Sequence, residues 1–295
     1  MLASVKTLLE SIVDYAGLFP PAKLDLPAAM TNYDRYCRSA DAWMLGRFIL
    51  PASRLNEFLG LLPTLASKDS QPRQWTLSTI ISQDWEADLS QVKAAIEHDN
   101  IAIASLEFSP VSPPEIANII PRLPLRVEAF FEIPFTSNLD SYLEVLASTN
   151  AAAKIRTGGI TAEAFPESDR ICRSILAFAA AKIPFKATAG LHHPLLGKYR
   201  LTYEPNSPSA QMYGFLNVAF LAALAYYQKV TLTEGIELLA ESSVTSFKWH
   251  QDGVYWRDRY LNISEVEASR QHFFRSFGSC SFEEPIDDLK QIKLL

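Results

Sequence analysis

Two short stretches decide the fold: Ala152-Ala-Lys-Ile-Arg-Thr157 and Pro184-Phe-Lys-Ala-Thr-Ala189. Each is a β-prone run of small, branched and aromatic side chains that nevertheless carries a lysine. Between them, Glu167 to Ala181 repeats its apolar residues at helical spacing. A strand, a helix and another strand within ~30 residues make a βα unit. The alternation extends both ways. Upstream lie Ser11 to Leu18, Ala42 to Leu50, Thr76 to Ser82, Ile103 to Ser109 and Arg126 to Ile133. A helical stretch from Asp88 to His98 separates two of them, and Asp88 and Glu167 put acidic residues near helix starts, as the macrodipole favours. Downstream, Phe274 to Phe282 supplies an eighth run, followed by a short helix over Pro285 to Ile292.

Eight such units predict one (β/α)8 TIM barrel over residues 1–295. The rival is an open doubly wound sheet, but no Gly-x-Gly-x-x-Gly follows the first run. The seventh and eighth runs are about 90 residues apart where ~30 would serve. The excess, residues 198–272, reads as an insertion. It holds an apolar helix over Met212 to Tyr227, a second over Thr231 to Ala240, and a hairpin over Phe247 to Trp256 that turns at Asp252-Gly253.

Composition narrows the function classes. Hydrophobic residues are 48% and charged residues 20% of the 295, which excludes a disordered or collagen-like chain. The net charge of −6 comes without a basic stripe, so no nucleic acid partner is expected. Cys37, Cys172 and Cys280 are scattered with no Cys-x-x-Cys pair, which suggests a reducing, cytoplasmic setting. Met1-Leu-Ala-Ser-Val-Lys6 lacks the pattern of a secretory leader. The Met212 to Tyr227 run is shorter than the ~20 residues of a membrane span, and Asn217 interrupts it. It has more apolar residues than a one-sided helix needs, so it is expected inside the chain or at a homodimer contact, not in a membrane.

The informative residues are the charges inside otherwise apolar runs: Asp14, Arg47, Glu107, Glu128, Glu132, Lys154, Arg156 and Lys186. Inward-facing charge in a barrel is costly unless paired or used. Structural salt bridges are the plain account of any one of them. As a set, mostly toward the C-terminal ends of their runs, they suggest a site at the barrel mouth. Lys154 and Lys186 on neighbouring strands suggest a specific chemistry. An amine attacks a carbonyl only when deprotonated, and a nearby cation with partial burial favours that form. Asp14, Glu107 and Glu132 are then candidates to move protons. The same lysine pair also suits binding of a phosphate or carboxylate without covalent chemistry. His192 and His193 follow the seventh run and belong on the rim. Adjacent residues point opposite ways, so they are not a shared metal pair. A magnesium site from Asp14, Glu107 and Glu132 is the metal alternative. No Gly-x-Ser-x-Gly elbow occurs. Phe19-Pro-Pro-Ala22 is a stiff loop, and Trp249, Tyr255, Trp256 and Tyr260 read as core or interface.

Several of these stretches resemble one family. Lys154-Ile-Arg-Thr-Gly158 resembles the Lys-x-x-Thr-Gly signature of the deoxyribose-phosphate aldolases, class I aldolases on a (β/α)8 barrel. Ala164-Phe-Pro-Glu-Ser168 looks like that family's following helix entry. Phe185-Lys-Ala-Thr-Ala-Gly190 resembles its second lysine strand, and Phe277-Gly-Ser-Cys-Ser281 its Phe-Gly-x-Ser-Ser segment. Val13-Asp-Tyr-Ala-Gly-Leu18 is similar to its first-strand Asp motif. The motifs fall in the same order and cover about a tenth of the chain. The resemblance implies Lys154 as the Schiff-base lysine, Lys186 as the lysine that perturbs it, and Asp14 as the acid of a proton relay. Gly278 and Ser281 match part of the phosphate-binding end, with Ser279 between them, and Glu107 stands near a family aspartate. Thr157, Gly158, Gly190, His192, Arg156 and Arg47 complete the expected substrate contacts.

The departures bear on the substrate. Gly159 replaces a lysine, Ala189 a glycine, Cys280 a serine, and Arg156 stands where the family has a serine. Arg156 would pair with a carboxylate bidentately, so deoxyribose 5-phosphate is not the required ligand. The expected function is a class I, cofactor-free and metal-independent lyase acting beside the carbonyl of a small molecule. A carboxylate-rich metal-dependent isomerase or lyase, and a non-catalytic anion-binding barrel, are the alternatives.

Overall fold

The computed structural model describes residues 1–65, 74–135 and 138–295. Its strands are β1 (Val13–Tyr15), β2 (Leu45–Pro51), β3 (Trp75–Ile81), β4 (Ile101–Phe108), β5 (Glu128–Glu132), β6 (Ala152–Arg156) and β7 (Phe185–Thr188). β8 (Gly197–Arg200), β9 (Ser209–Met212), β10 (Phe247–Trp249), β11 (Gly253–Trp256), β12 (Arg259–Asn262) and β13 (Phe274–Ser279) follow. The helices are α1 (Ala3–Leu9), α2 (Leu26–Cys37), α3 (Leu55–Leu65), α4 (Trp85–Ile96), α5 (Pro113–Ile119) and α6 (Leu139–Ala147). After β6 come α7 (Ser168–Ala180), α8 (Phe215–Tyr226), α9 (Leu232–Leu239), α10 (Ile263–His272) and α11 (Glu283–Gln291).

Eight strands close a barrel in the order β1-β13-β7-β6-β5-β4-β3-β2. Every pairing in it is parallel. This is a (β/α)8 TIM barrel with an insertion after β7, and each of the eight expected runs overlaps one barrel strand. Two runs shorten at their ends. Ala42–Met44 is a 3-10 turn leading into β2, and β1 keeps only three residues before the chain turns at Ala16. The core lies between strands and helices, where side chains such as Leu8, Phe58, Leu106, Phe131 and Phe178 are fully covered.

The insertion departs from the sequence reading in two ways. β8 and β9 form an antiparallel hairpin ahead of the apolar helix, so Met212 belongs to a strand and the helix starts at Phe215. The expected two-stranded hairpin also gains a third strand, β12, which pairs with β11. The apolar helix α8 is buried from Phe215 to Ala225 within a single chain. It lies against α7, α9, α10 and β13, so it needs no second copy to cover it. No helix among the described residues is long and apolar enough to cross a membrane.

Asn217, the polar interruption in that run, has a structural use. Its Nδ2 donates to the carbonyls of Leu238 (2.8 Å) and Glu241 (2.9 Å), and its Oδ1 accepts from the Leu196 N–H (3.2 Å). It thus pins α8 to the end of α9 and to the chain entering β8. Asn217→Leu removes both donors and the acceptor, leaving the Leu196 N–H and the Leu238 and Glu241 carbonyls only their longer backbone partners, and should cost ~1–2 kcal/mol. Urea denaturation followed by circular dichroism measures this loss.

Candidate active site

The parallel register fixes the first relation. Lys154 pairs with Lys186 across β6 and β7, and Glu132 pairs with Lys154 across β5 and β6. Three charged side chains therefore start from one row, at the spacing of neighbouring strands. Glu107 from β4 and Asp14 from β1 reach the same interior.

The outcome is a chain of alternating charge. Arg156 Nε lies 2.9 Å from Glu132 Oε1, and Glu132 Oε2 lies 3.3 Å from Lys154 Nζ. Lys154 Nζ is 3.6 Å from Glu107 Oε2. The other oxygen of Glu107 is 2.6 Å from Lys186 Nζ, which is also 2.6 Å from Asp14 Oδ2. Neutral hydroxyls complete the carboxylates. Ser78 donates to Glu107 and is itself bonded by Ser105, while Ser276 donates to Asp14 (2.6 Å). The Arg47 backbone N–H donates to the other oxygen of Asp14 (2.8 Å).

The two lysines differ in how they are held. Lys186 has no solvent exposure and two short charge-assisted hydrogen bonds. Burial works against its charge, but Asp14 and Glu107 outweigh this and raise its pKa. Lys154 has only the two longer ion pairs, no hydrogen bond among the described residues, and faces a cavity of about 620 Å³ at the C-terminal mouth. Glu107 stands between the two amines. Burial opposes its ionisation, but the charges of Lys186 and Lys154 and the hydrogen bonds from Lys186 and Ser78 prevail. Its pKa falls from 4.5 to about 2.

Other expected residues fall into two groups. Glu132, Arg156, Gly190, His192 and Gly278 line the mouth cavity with Lys154 and Glu107. Lys186 and Asp14 lie beneath its floor instead of lining it. Thr157 is fully buried and its hydroxyl donates to the Ala189 carbonyl, tying the ends of β6 and β7. Gly158 is a close-approach position: an added Cβ would meet Gly190 Cα at 2.8 Å, and Gly190 itself has φ +79°. Ser279 faces His192 Nδ1 (3.2 Å), and Ser281 Oγ accepts the Glu284 N–H. Arg47 is a correction. Its guanidinium points to the opposite end of the barrel, where it pairs with Glu128 (3.1 Å) and stands beside Arg275, which also pairs with Glu128. Its early place in β2 puts its side chain below the charged floor.

The mouth also holds residues the sequence reading did not select. The insertion hangs Tyr199, Arg200, Leu201 and Tyr203 over the cavity, and Glu284 enters from α11. Tyr203 Oη is 3.4 Å from both Cys280 Sγ and Glu284 Oε2, and His192 Nδ1 is 3.5 Å from Glu284 Oε2. Burial disfavours the charged imidazole of His192, but hydrogen bonding to Cys280 and Glu284 prevails and pushes its pKa up to about 10. The His193 ring stacks on Tyr199 and bonds Asp288 (2.6 Å). The Phe19-Pro-Pro stretch forms one wall. The β8–β9 contribution had no local signal, because its residues carry no motif. Glu284 was readable only as an acid in the first turn of the closing helix.

No protein-family model matches the chain, and neither a curated protein nor a solved structure matches it.

Two outcomes test the floor. Lys186→Met leaves buried Asp14 without an opposite charge and Glu107 with only the more distant Lys154, and should cost ~3–5 kcal/mol. Lys154→Met should cost clearly less, because Glu107 keeps Lys186 and Glu132 keeps Arg156; chemical denaturation of both variants makes the comparison. The pH dependence follows from Glu107, whose folded pKa is depressed from 4.5 to about 2. Its contribution is complete above 4.5 and is lost as pH falls toward 2. Glu107→Gln should remove that part of the acid-induced loss of stability, read from melts across this window.

Proposed function

We propose that this barrel is a class I aldolase-type lyase in which Lys154 forms a Schiff base with a small carbonyl substrate. The observation that carries this reading is the pairing of a loosely held lysine at the floor of the mouth with a tightly held one behind it. Lys186 satisfies Asp14 and Glu107 from below. Lys154 can therefore give up its proton without leaving those two carboxylates unpaired in the core. The lysine-strand motifs at Lys154 to Gly158 and Phe185 to Gly190 support the same assignment through their resemblance to that family.

The chemistry runs through groups already in place. The neutral Lys154 amine adds to the carbonyl carbon, and the oxygen leaves as water after gaining two protons. As the substrate's β-hydroxyl loses its proton and becomes the carbonyl of the departing fragment, the iminium accepts the electron pair of the breaking Cα–Cβ bond, giving an enamine, and protonation of the enamine carbon gives a second imine. Glu132, 3.3 Å from Nζ, is the nearest proton carrier, while Glu107, at 3.6 Å, stays ionised and balances the charge of the iminium. Hydrolysis of the second imine returns the amine. Lys186 does not act here as a bare cation repelling its neighbour, since Glu107 lies between them. It fixes Glu107 in the ionised state.

Borohydride reduction in the presence of small aldehydes and ketones should leave a mass adduct on Lys154, mapped by peptide mass spectrometry. Lys154→Met should lose both the adduct and C–C bond turnover while retaining the wild-type circular dichroism spectrum. A trapped adduct elsewhere, or turnover that survives the substitution, refutes the assignment.

A further inference from the structure

The mouth also bears on the substrate, and the following rests on Lys154 being the Schiff-base lysine. In the resembling family a phosphate sits where the last strand leads into the closing helix. In this chain two of the backbone donors at that place are already used. The Ser281 N–H donates to Ser279 Oγ (3.3 Å), and the Glu284 N–H donates to Ser281 Oγ (3.1 Å). The first turn of α11 carries Glu283 and Glu284, and Glu284 faces the cavity. His192 is engaged with Glu284, and His193 with Asp288. A phosphate dianion placed there would stand against the Glu284 carboxylate, an unfavourable approach in a partly buried site.

The remaining charge is close to balanced. Lys154, Arg156 and Arg200 face Glu107, Glu132 and Glu284 across the cavity, and His192 adds one further positive charge when protonated. Arg200, on the exposed edge of β8, has no hydrogen-bond or ion-pair partner for its guanidinium among the described residues. Arg156 spends Nε and one Nη on Glu132. Phe19, Ile49, Ile80, Leu201 and Met212 give the walls much apolar surface, beside the hydroxyls of Ser109, Thr188 and Thr202. Such a surface disfavours a polyhydroxylated chain and suits a hydrocarbon one.

We propose that the substrate is an unphosphorylated carbonyl compound with an apolar body and a single carboxylate. Its carbonyl reaches Lys154 and its carboxylate is held at the rim by Arg200, with Arg156 beside it. Imine formation balances without a co-reactant: the carbonyl and the amine give the imine and one water.

Four aldehydes in matched pairs test this by borohydride trapping on the full chain. Adipic semialdehyde and hexanal share a chain and differ in the carboxylate; glyceraldehyde phosphate and glyceraldehyde differ in the phosphate. Half-maximal labelling of Lys154 should need at least about tenfold less adipic semialdehyde than hexanal, as a charge-assisted contact provides. Arg200→Ala should bring the semialdehyde to the hexanal level. The phosphate should not improve labelling over glyceraldehyde. If phosphate improves it, or if the semialdehyde gains nothing over hexanal, the substrate class is wrong while the Schiff-base reading stands. If no aldehyde labels Lys154, both fall together.

Discussion

The ion-pair sequence Arg156–Glu132–Lys154–Glu107–Lys186–Asp14 runs across the barrel interior with the sign changing at every step. The rest of the molecule is arranged around this constraint. Five of the six groups are buried, and none could be kept charged there alone. Alternation lets each inner member meet two opposite charges, and serine hydroxyls fill the remaining acceptor positions on Glu107 and Asp14. The chain also reaches the seam of the barrel. Asp14 sits on the three-residue β1 and is bonded from β2, β7 and β13. The shortest strand is thus tied to both its neighbours by the carboxylate that ends the charge sequence.

Stability and chemistry separate along this sequence. At the Asp14 end the contacts are short, sealed and multiply bonded. At Lys154 they lengthen to 3.6 and 3.3 Å beside the cavity, and at the far end the Arg156 side chain is 51% exposed. A lysine in the middle of such a gradient has its neighbours fixed for it and keeps freedom of its own. That division, with a rigid support below and an adjustable group above, would suit the reacting amine proposed for Lys154.

The insertion shapes the upper half independently of the barrel. α8 is sealed against α7, α9, α10 and β13, and Asn217 fastens it to the segment entering β8. From that anchor the β8–β9 hairpin extends over the mouth and delivers Arg200, Leu201 and Tyr203. The floor and the lid of the cavity therefore come from parts of the chain under different constraints. The floor must balance buried charge, whereas the lid is free to set what enters.

The sequence by itself determined the eight strands, because apolar runs separated by helical periodicity are local patterns. It also determined that charge lies inside the barrel, because Glu107, Glu132, Lys154 and Lys186 interrupt strands that are otherwise apolar. Tertiary structure alone decided how those charges meet. Strand alternation says that Lys154 and Arg156 share a face, but only register puts Glu107 between two lysines and turns Arg47 to the far end with Glu128. The same holds for the mouth. Arg200 and Glu284 are 84 residues apart in the chain and carry no motif. They line one cavity because β13 pairs with β7, which sets the loop after β7 beside the helix after β13, a proximity that exists only once two strands separated by the whole insertion have paired.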